Sequence, residues 1–419
     1  MQKQISRIIL QLLVLFLCLT NCQNKSKKQV PLKETAESTT KHIIVGANQT
    51  EKYLDLLKDK RIALAANNTS VIFKSNDHKT YTHLADSLKS LNINIVKIFA
   101  PEHGLRGKID AGEVIKSEID EQTGIPVVSL YGTNDNSNSE EKFKPSEKHL
   151  NDLDVVVFDI QDVGARFYTY LSTLHYIMEA CAEKQIPVIV LDRPNPNGHY
   201  IDGPIVEENF KSFVGLHPVP IVYGMTIGEY AKMINGEKWL KNGVKCNLTV
   251  IPLKNYTHSS TYSLTLRPSP NLPNDKSINL YPSLCLFEGT NVNCGRGTDM
   301  QFQIFGSPDL PSNEYNFSFT PQPNFGSKNP KNINQECFGL DLSKTNRLSA
   351  LNFEWLINAY NATANKDKFF RERSFNILAG TDKLKKQIEN GLSFEEIKAT
   401  WEDGLTKFKN TRKKYLIYP

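Results

Sequence analysis

Val155-Val156-Val157-Phe158-Asp159-Ile160-Gln161-Asp162-Val163-Gly164-Ala165-Arg166-Phe167-Tyr168 opens on an apolar run, passes through a polar loop and enters a helical pattern over 168–184. A short β-branched run followed by a loop and a helix reads as a strand buried on both faces with its crossover. Working outward, similar runs stand at 62–66, 93–99, 126–130, 187–191 and 248–253, with helical patterns at 81–91 and 226–235. The alternation predicts an α/β fold: a Rossmann-like doubly wound parallel sheet over 42–265. The rhythm breaks at Arg267-Pro268-Ser269-Pro270-Asn271-Leu272-Pro273. Beyond it, a Pro/Asn/Ser-rich loop at 308–332 and helical patterns at 350–362, 381–390 and 394–409 predict a second, smaller α+β domain over 266–419.

The chain begins with a leader pattern. Lys3 and Arg7 precede an apolar stretch from Ile8 to Leu19, broken only by Gln11. About twelve residues at ~1.5 Å each cannot cross a bilayer core of ~30 Å, so the stretch reads as a signal h-region over 1–21. It ends in Leu19-Thr20-Asn21-Cys22, which resembles the bacterial lipobox, with Cys22 as the lipidated residue; Asn21 departs from the usual small residue. A polar tether over 22–41 follows. The expectation is a cell-envelope lipoprotein, held by its lipid alone. Gln23 after the cysteine points to the outer membrane, facing the periplasm.

Net charge is +5, from 50 basic and 45 acidic residues, spread too evenly for a nucleic-acid surface. Beyond Cys18 and Cys22, the five cysteines Cys181, Cys246, Cys285, Cys294 and Cys337 are widely spaced and contain no CxxC. Neither a disulfide framework nor a zinc site is indicated. No dinucleotide fingerprint, Walker sequence or GxSxG elbow occurs, and the histidines lack metal-binding helical spacing. No metal and no cofactor are expected.

Ligands of open α/β sheets bind beyond the carboxyl ends of the strands, so the loops there are where chemistry belongs. The first run leads into Asn67-Asn68-Thr69-Ser70 and the second into Ala100-Pro101-Glu102-His103-Gly104-Leu105-Arg106-Gly107. The third such loop carries Asp159, Asp162, Arg166 and Tyr168, and the fourth is Asp192-Arg193-Pro194-Asn195-Pro196-Asn197-Gly198. Singly, each has a structural reading: Asn67 or Asp162 as a helix cap, Asp192-Arg193 as a local ion pair, the Asn-Pro-Asn-Gly stretch as a turn. Glu102 and His103 resist it, because folding needs no acid and imidazole between a proline and a glycine.

These loops carry a resemblance. Phe99-Ala100-Pro101-Glu102-His103-Gly104-Leu105-Arg106-Gly107 resembles the signature of the bacterial exo-β-N-acetylmuramidases. So do the 158–170 stretch, Leu191-Asp192-Arg193-Pro194-Asn195-Pro196, Pro268-Ser269-Pro270-Asn271-Leu272-Pro273, Glu288-Gly289-Thr290 and Gly295-Arg296-Gly297-Thr298-Asp299. It spans essentially all of 43–419; Cys294 stands where a small residue such as serine is expected.

The resemblance implies a cleft between the two domains. It also implies release of N-acetylmuramic acid from non-reducing ends of peptidoglycan glycans, in cell-wall turnover and recycling, with Glu102 as catalytic acid. Such a cleavage needs a proton on the leaving oxygen and a partner for the oxocarbenium-like centre. For the second role Asp159, Asp162, Asp192 and Asp299 are candidates, or the substrate's own acetamido group. A bidentate arginine suits the lactyl carboxylate of the sugar, and Arg106, Arg166, Arg193 and Arg296 are available. Asn67, His103, Tyr168, Asn195 and Asn271 complete the expected substrate contacts. Two rival readings share the fold: a non-catalytic sugar-binding lipoprotein, and a metal-assisted esterase or amidase.

Overall fold

The computed structural model describes residues 42–107, 118–130 and 143–419. The leader, Cys22 and the tether therefore lie outside the described residues. His42–Pro419 form one compact unit.

The first strand is β1 (Ile62–Ala66), followed by a hairpin of β2 (Val71–Phe73) and β3 (Tyr81–His83). Next come β4 (Ile95–Ala100), β5 (Glu118–Ile119), β6 (Pro126–Ser129), β7 (Val155–Asp159), β8 (Val188–Leu191) and β9 (Leu248–Ile251). They form a seven-stranded sheet in the order β5-β6-β4-β1-β7-β8-β9, with only the short edge strand β5 antiparallel. Counted without β5, the parallel strands run third, second, first, fourth, fifth, sixth, which is the Rossmann order. The α/β expectation holds.

Period-two side-chain alternation builds this sheet's two cores. Ala63, Ala65, Val156, Phe158, Val188 and Val190 face one side. Their neighbours Ile62, Leu64, Ala66, Val155, Val157 and Ile189 face the other. The helix Leu84–Ser90 covers the second face, whereas the helices Tyr170–Glu183 and Ile227–Gly236 cover the first. The crossovers therefore change sides between β1 and β7. The loops leaving those strands part there, opening a crevice at the strand ends.

The smaller second part carries a three-stranded antiparallel sheet, order β10-β12-β11, of β10 (Ile304–Ser307), β11 (Phe317–Phe319) and β12 (Cys337–Asp341). Helices Asp275–Leu284, Glu354–Ala362, Glu372–Ala379, Lys383–Glu389, Phe394–Ala399 and Glu402–Arg412 accompany it. Its aromatic residues Phe287, Phe305, Phe353 and Phe375 belong to the same core as Val156 and Phe158.

Two predicted helices differ. The pattern at 81–91 starts with β3, and His83 caps the shorter helix by accepting from Ala85 N. The pattern at 394–409 is two helices separated at Trp401, whose ring packs edge-on against Phe353.

Candidate active site

Glu102 follows β4 on the tight turn Pro101–Gly104, where the Gly104 N–H donates to Pro101 O at 3.0 Å. His103 is buried and left-handed at φ 72°, a conformation that costs a side-chain-bearing residue free energy. The Glu102 side chain is half-buried, and Thr169 Oγ1 donates to its Oε2 at 3.2 Å. Thr169 comes from the loop beyond β7, so the carboxylate is held across the mouth of β1.

Two tyrosines lie alongside. Tyr168 and Tyr170 hydroxyls donate to Pro268 O at 2.6 and 3.3 Å, and the rings meet edge-on with centroids 4.8 Å apart. Tyr170 OH also lies 3.5 Å from Glu102 O, and Asn67 Nδ2 donates to Tyr170 OH at 2.9 Å. Asn67 Oδ1 in turn accepts from Thr69 N and Oγ1, at 2.9 and 2.6 Å. Thr69 Oγ1 then takes the Gln161 N–H at 3.0 Å, tying the loops beyond β1 and β7 together. Asn67 is therefore a positioning group: it orients Tyr170.

From the tyrosines a line of rings continues into the second part. Tyr168 packs edge-on at 6.1 Å against Tyr281, which packs edge-on at 4.9 Å against Phe302. The Arg296 guanidinium lies 5.3 Å above the Phe302 ring, and Arg296 Nε donates to Glu288 Oε1 at 3.1 Å. Asn271 donates to Gly326 O at 2.7 Å, and its buried Oδ1 has no partner among the described residues. Asp299 is exposed at the rim of this loop cluster.

Several expected site residues are spent on the protein instead. Arg193 and Asp159 form a fully buried two-point ion pair, so neither is presented to a substrate. Arg166 points inward, its two terminal nitrogens donating to the carbonyls of Pro204, Val219, Leu378 and Ala379. Two of those carbonyls close the helix Glu372–Ala379, whose negative end suits a cation. Arg106 is bound by both Asp86 and Asp120. Asp192 accepts from Arg193 N, Gly228 N, Thr226 Oγ1 and Tyr418 OH, anchoring the chain end below the sheet. Asn195 shapes its own turn through Asn197 N and Met225 O. In this structure these side chains, all buried except the partly exposed Arg106, are turned to partners within the protein, so its geometry does not present them as substrate ligands, nor Asp159 as a catalytic group.

Asp162 is buried beneath Tyr223, whose hydroxyl donates to Oδ2, as does Gly164 N at 2.7 Å. Its Oδ1 has no partner among the described residues, and burial pushes the carboxyl up to about 6 against those donors.

Glu288 was missed as a site residue, although its motif stands in the sequence. Burial would raise its carboxyl, but Arg296 and Lys331 outweigh that and hold it below the ordinary range. Lys331 reaches its own position by donating to the carbonyls of Thr290, Phe287 and Val292 at 2.6, 2.8 and 2.8 Å. No sequence spacing links Lys331 to Glu288; only the folded loop does. Among the described residues no group of three His, Cys, Asp or Glu gathers as a metal site.

Comparison with known proteins agrees with this architecture. Family models described as exo-beta-N-acetylmuramidase NamZ, N-terminal and C-terminal, match residues 62–276 and 279–418. The peptidoglycan beta-N-acetylmuramidase NamZ of Bacillus subtilis (strain 168) is 38% identical over 388 residues, 87% of this chain and 89% of that protein. Two crystal structures of DUF1343 family proteins from Bacteroides fragilis NCTC 9343 share the fold. One has 46% identity and a TM-score of 0.80, and the other 28% and 0.74; each match covers 90% of this chain and 99% of theirs.

Fold, strand-end carboxylate and relatives together define an α/β glycoside hydrolase of the bacterial cell wall. Within that class, the chain belongs to the NamZ exo-β-N-acetylmuramidase family. The sugar-binding reading without catalysis gives way to it.

Proposed function

We propose that this enzyme removes the terminal N-acetylmuramic acid from non-reducing ends of peptidoglycan glycans, with Glu102 as general acid. The carrying observation is the half-buried Glu102 carboxylate, held by Thr169 beside the crevice between β1 and β7. A carboxylic acid placed there can protonate the leaving oxygen. For the second role, Asp159 and Asp192 are engaged, Asp162 is buried and Asp299 sits at the rim. We therefore assign it to the substrate: the acetamido oxygen attacks C1 as the Glu102 proton passes to the leaving oxygen, and water, returning a proton to the Glu102 carboxylate, then opens the resulting oxazolinium ion.

The domain division at 265/266 and the lipid anchor at Cys22 belong to the same proposal, as does a place on the periplasmic side of the outer membrane. Replacement of Cys22 by Ala should release the protein from membranes. The deciding experiment is product analysis on peptide-free glycan chains. Mass spectrometry should find free N-acetylmuramic acid from the first minutes, with each chain that ends in it shortened by that one terminal residue and then left with N-acetylglucosamine at its end. Early release of internal fragments would refute exo action. Loss of turnover on adding a chelator would favour the metal-assisted reading.

A further inference from the structure

Of the four arginines expected near the substrate, three have guanidinium groups consumed by the protein. Arg296 differs. Only its Nε is engaged, by Glu288, and Nη1 and Nη2 have no acceptor among the described residues. Its side chain keeps 25% exposure, against 2% for Arg193.

The group is also fixed in place. Phe302 lies under the guanidinium, and Asn293 Nδ2 donates to Arg296 O at 3.1 Å. Gly295 and Gly297, at φ 77° and 80°, flank it. A Cβ on Gly295 would lie 2.4 Å from Met300 O, and one on Gly297 2.6 Å from Gln322 O, so the loop admits no side chain at either position. Lys331 locks the preceding segment through three carbonyls. A rigid guanidinium with its two terminal nitrogens open is a receptor for a planar, two-oxygen anion. Glu288 offsets one of the two nearby cations, Arg296 and Lys331, and leaves a net positive charge for a single anionic group.

We propose that the open edge of Arg296 binds the lactyl carboxylate of N-acetylmuramic acid and so separates muramides from glucosaminides. The buried rings Phe302, Tyr281, Tyr168 and Tyr170 pack one against the next between the Arg296 loop and the Glu102 turn, where Tyr170 OH lies 3.5 Å from the Glu102 backbone O. This assignment rests on the muramidase reading above.

The test is calorimetric binding of N-acetylmuramic acid, its lactyl methyl ester and N-acetylglucosamine to the full-length protein. Arg296→Ala should weaken N-acetylmuramic acid about 10- to 100-fold, the usual worth of a charged hydrogen-bonded contact, and leave N-acetylglucosamine unchanged. The unchanged protein should lose the same factor on the methyl ester. Arg296→Lys keeps the charge without the planar pair of donors and should fall between; it also decides the matter should the Ala variant not fold. Unaltered affinity for N-acetylmuramic acid in either variant, or equal losses for both sugars, overturns the proposal. If the unchanged protein releases no N-acetylmuramic acid from glycans, the muramidase reading itself fails. Release with an Arg296 variant of normal affinity defeats this assignment alone.

Discussion

Arg193 meets Asp159 through two parallel hydrogen bonds, Nε to Oδ1 at 2.6 Å and Nη2 to Oδ2 at 2.8 Å, beneath the loops that carry Glu102 and Thr169. The same Nη2 donates to Val71 O at 3.0 Å. One pair thus joins the ends of β7 and β8 to the β2–β3 hairpin. Its placement at the strand ends made both residues look like substrate ligands, yet their work is to hold the floor on which the site stands.

That pair sets a stability prediction. Asp159→Asn or Arg193→Met leaves an uncompensated buried charge or unpaired donors, and each should cost about 3–5 kcal/mol. The double variant should lose less than the two single losses added, because no lone charge remains. Urea midpoints of the three proteins measure this. Single losses below about 1 kcal/mol would mean that the pair is opened and hydrated in solution.

The parallel sheet was legible because short apolar runs alternating with helical patterns leave few other architectures. Glu102 was legible because an acid between Pro101 and Gly104 has no folding purpose. The arginines were not, since polarity at a strand end does not say which way a side chain turns. Arg166 closes a helix that ends more than two hundred residues later, at Leu378 and Ala379, and no local pattern carries that information. Glu288 stayed hidden for the same reason: its partners Arg296 and Lys331 are brought to it only by the loops of the second part.

Asp162 makes stability fall as pH rises. Its carboxyl is raised by burial from 3.8 to about 6 in the folded protein. Between those values the native state holds a proton that the unfolded chain has released, so raising the pH favours unfolding. The stabilising contribution is complete below the unfolded value and gone above about pH 6. Asp162→Asn mimics the protonated acid: its amide oxygen can accept from Tyr223 and Gly164, and its nitrogen takes the place of the unpartnered Oδ1. Relative to the parent, the Asn variant should gain on the order of 3 kcal/mol as pH rises through this window. Parallel stability curves for the two proteins would show that Asp162 does not titrate there.

Assignment of the nucleophile to the substrate has its own signature. Fluorine on the acetamido methyl group draws electron density from the attacking oxygen and should slow turnover steeply from acetyl through mono- to trifluoroacetyl muramides. Electron withdrawal also destabilises the oxocarbenium-like centre, but that effect is shared by routes without acetamido attack and is weaker at this distance. The logarithm of kcat/KM against fluorine count is therefore the quantity to compare. A flat series points to a carboxylate of the protein in the second role.

Glu102→Gln should fold normally yet lose about 10²–10⁴-fold in kcat/KM on an unactivated disaccharide, the usual worth of general-acid catalysis. Glutamine keeps the size of the side chain, and its amide oxygen can still accept from Thr169 Oγ1, which now donates to Oε2 at 3.2 Å. The turn survives too, because the backbone bond from Gly104 to Pro101 does not involve the side chain. Only the transferable proton is gone. A nitrophenyl muramide needs little protonation of its leaving group, so its deficit should be much the smaller of the two. An equal deficit on both substrates would instead make Glu102 the base or nucleophile, and near-normal hydrolysis of the disaccharide would take it out of the reaction.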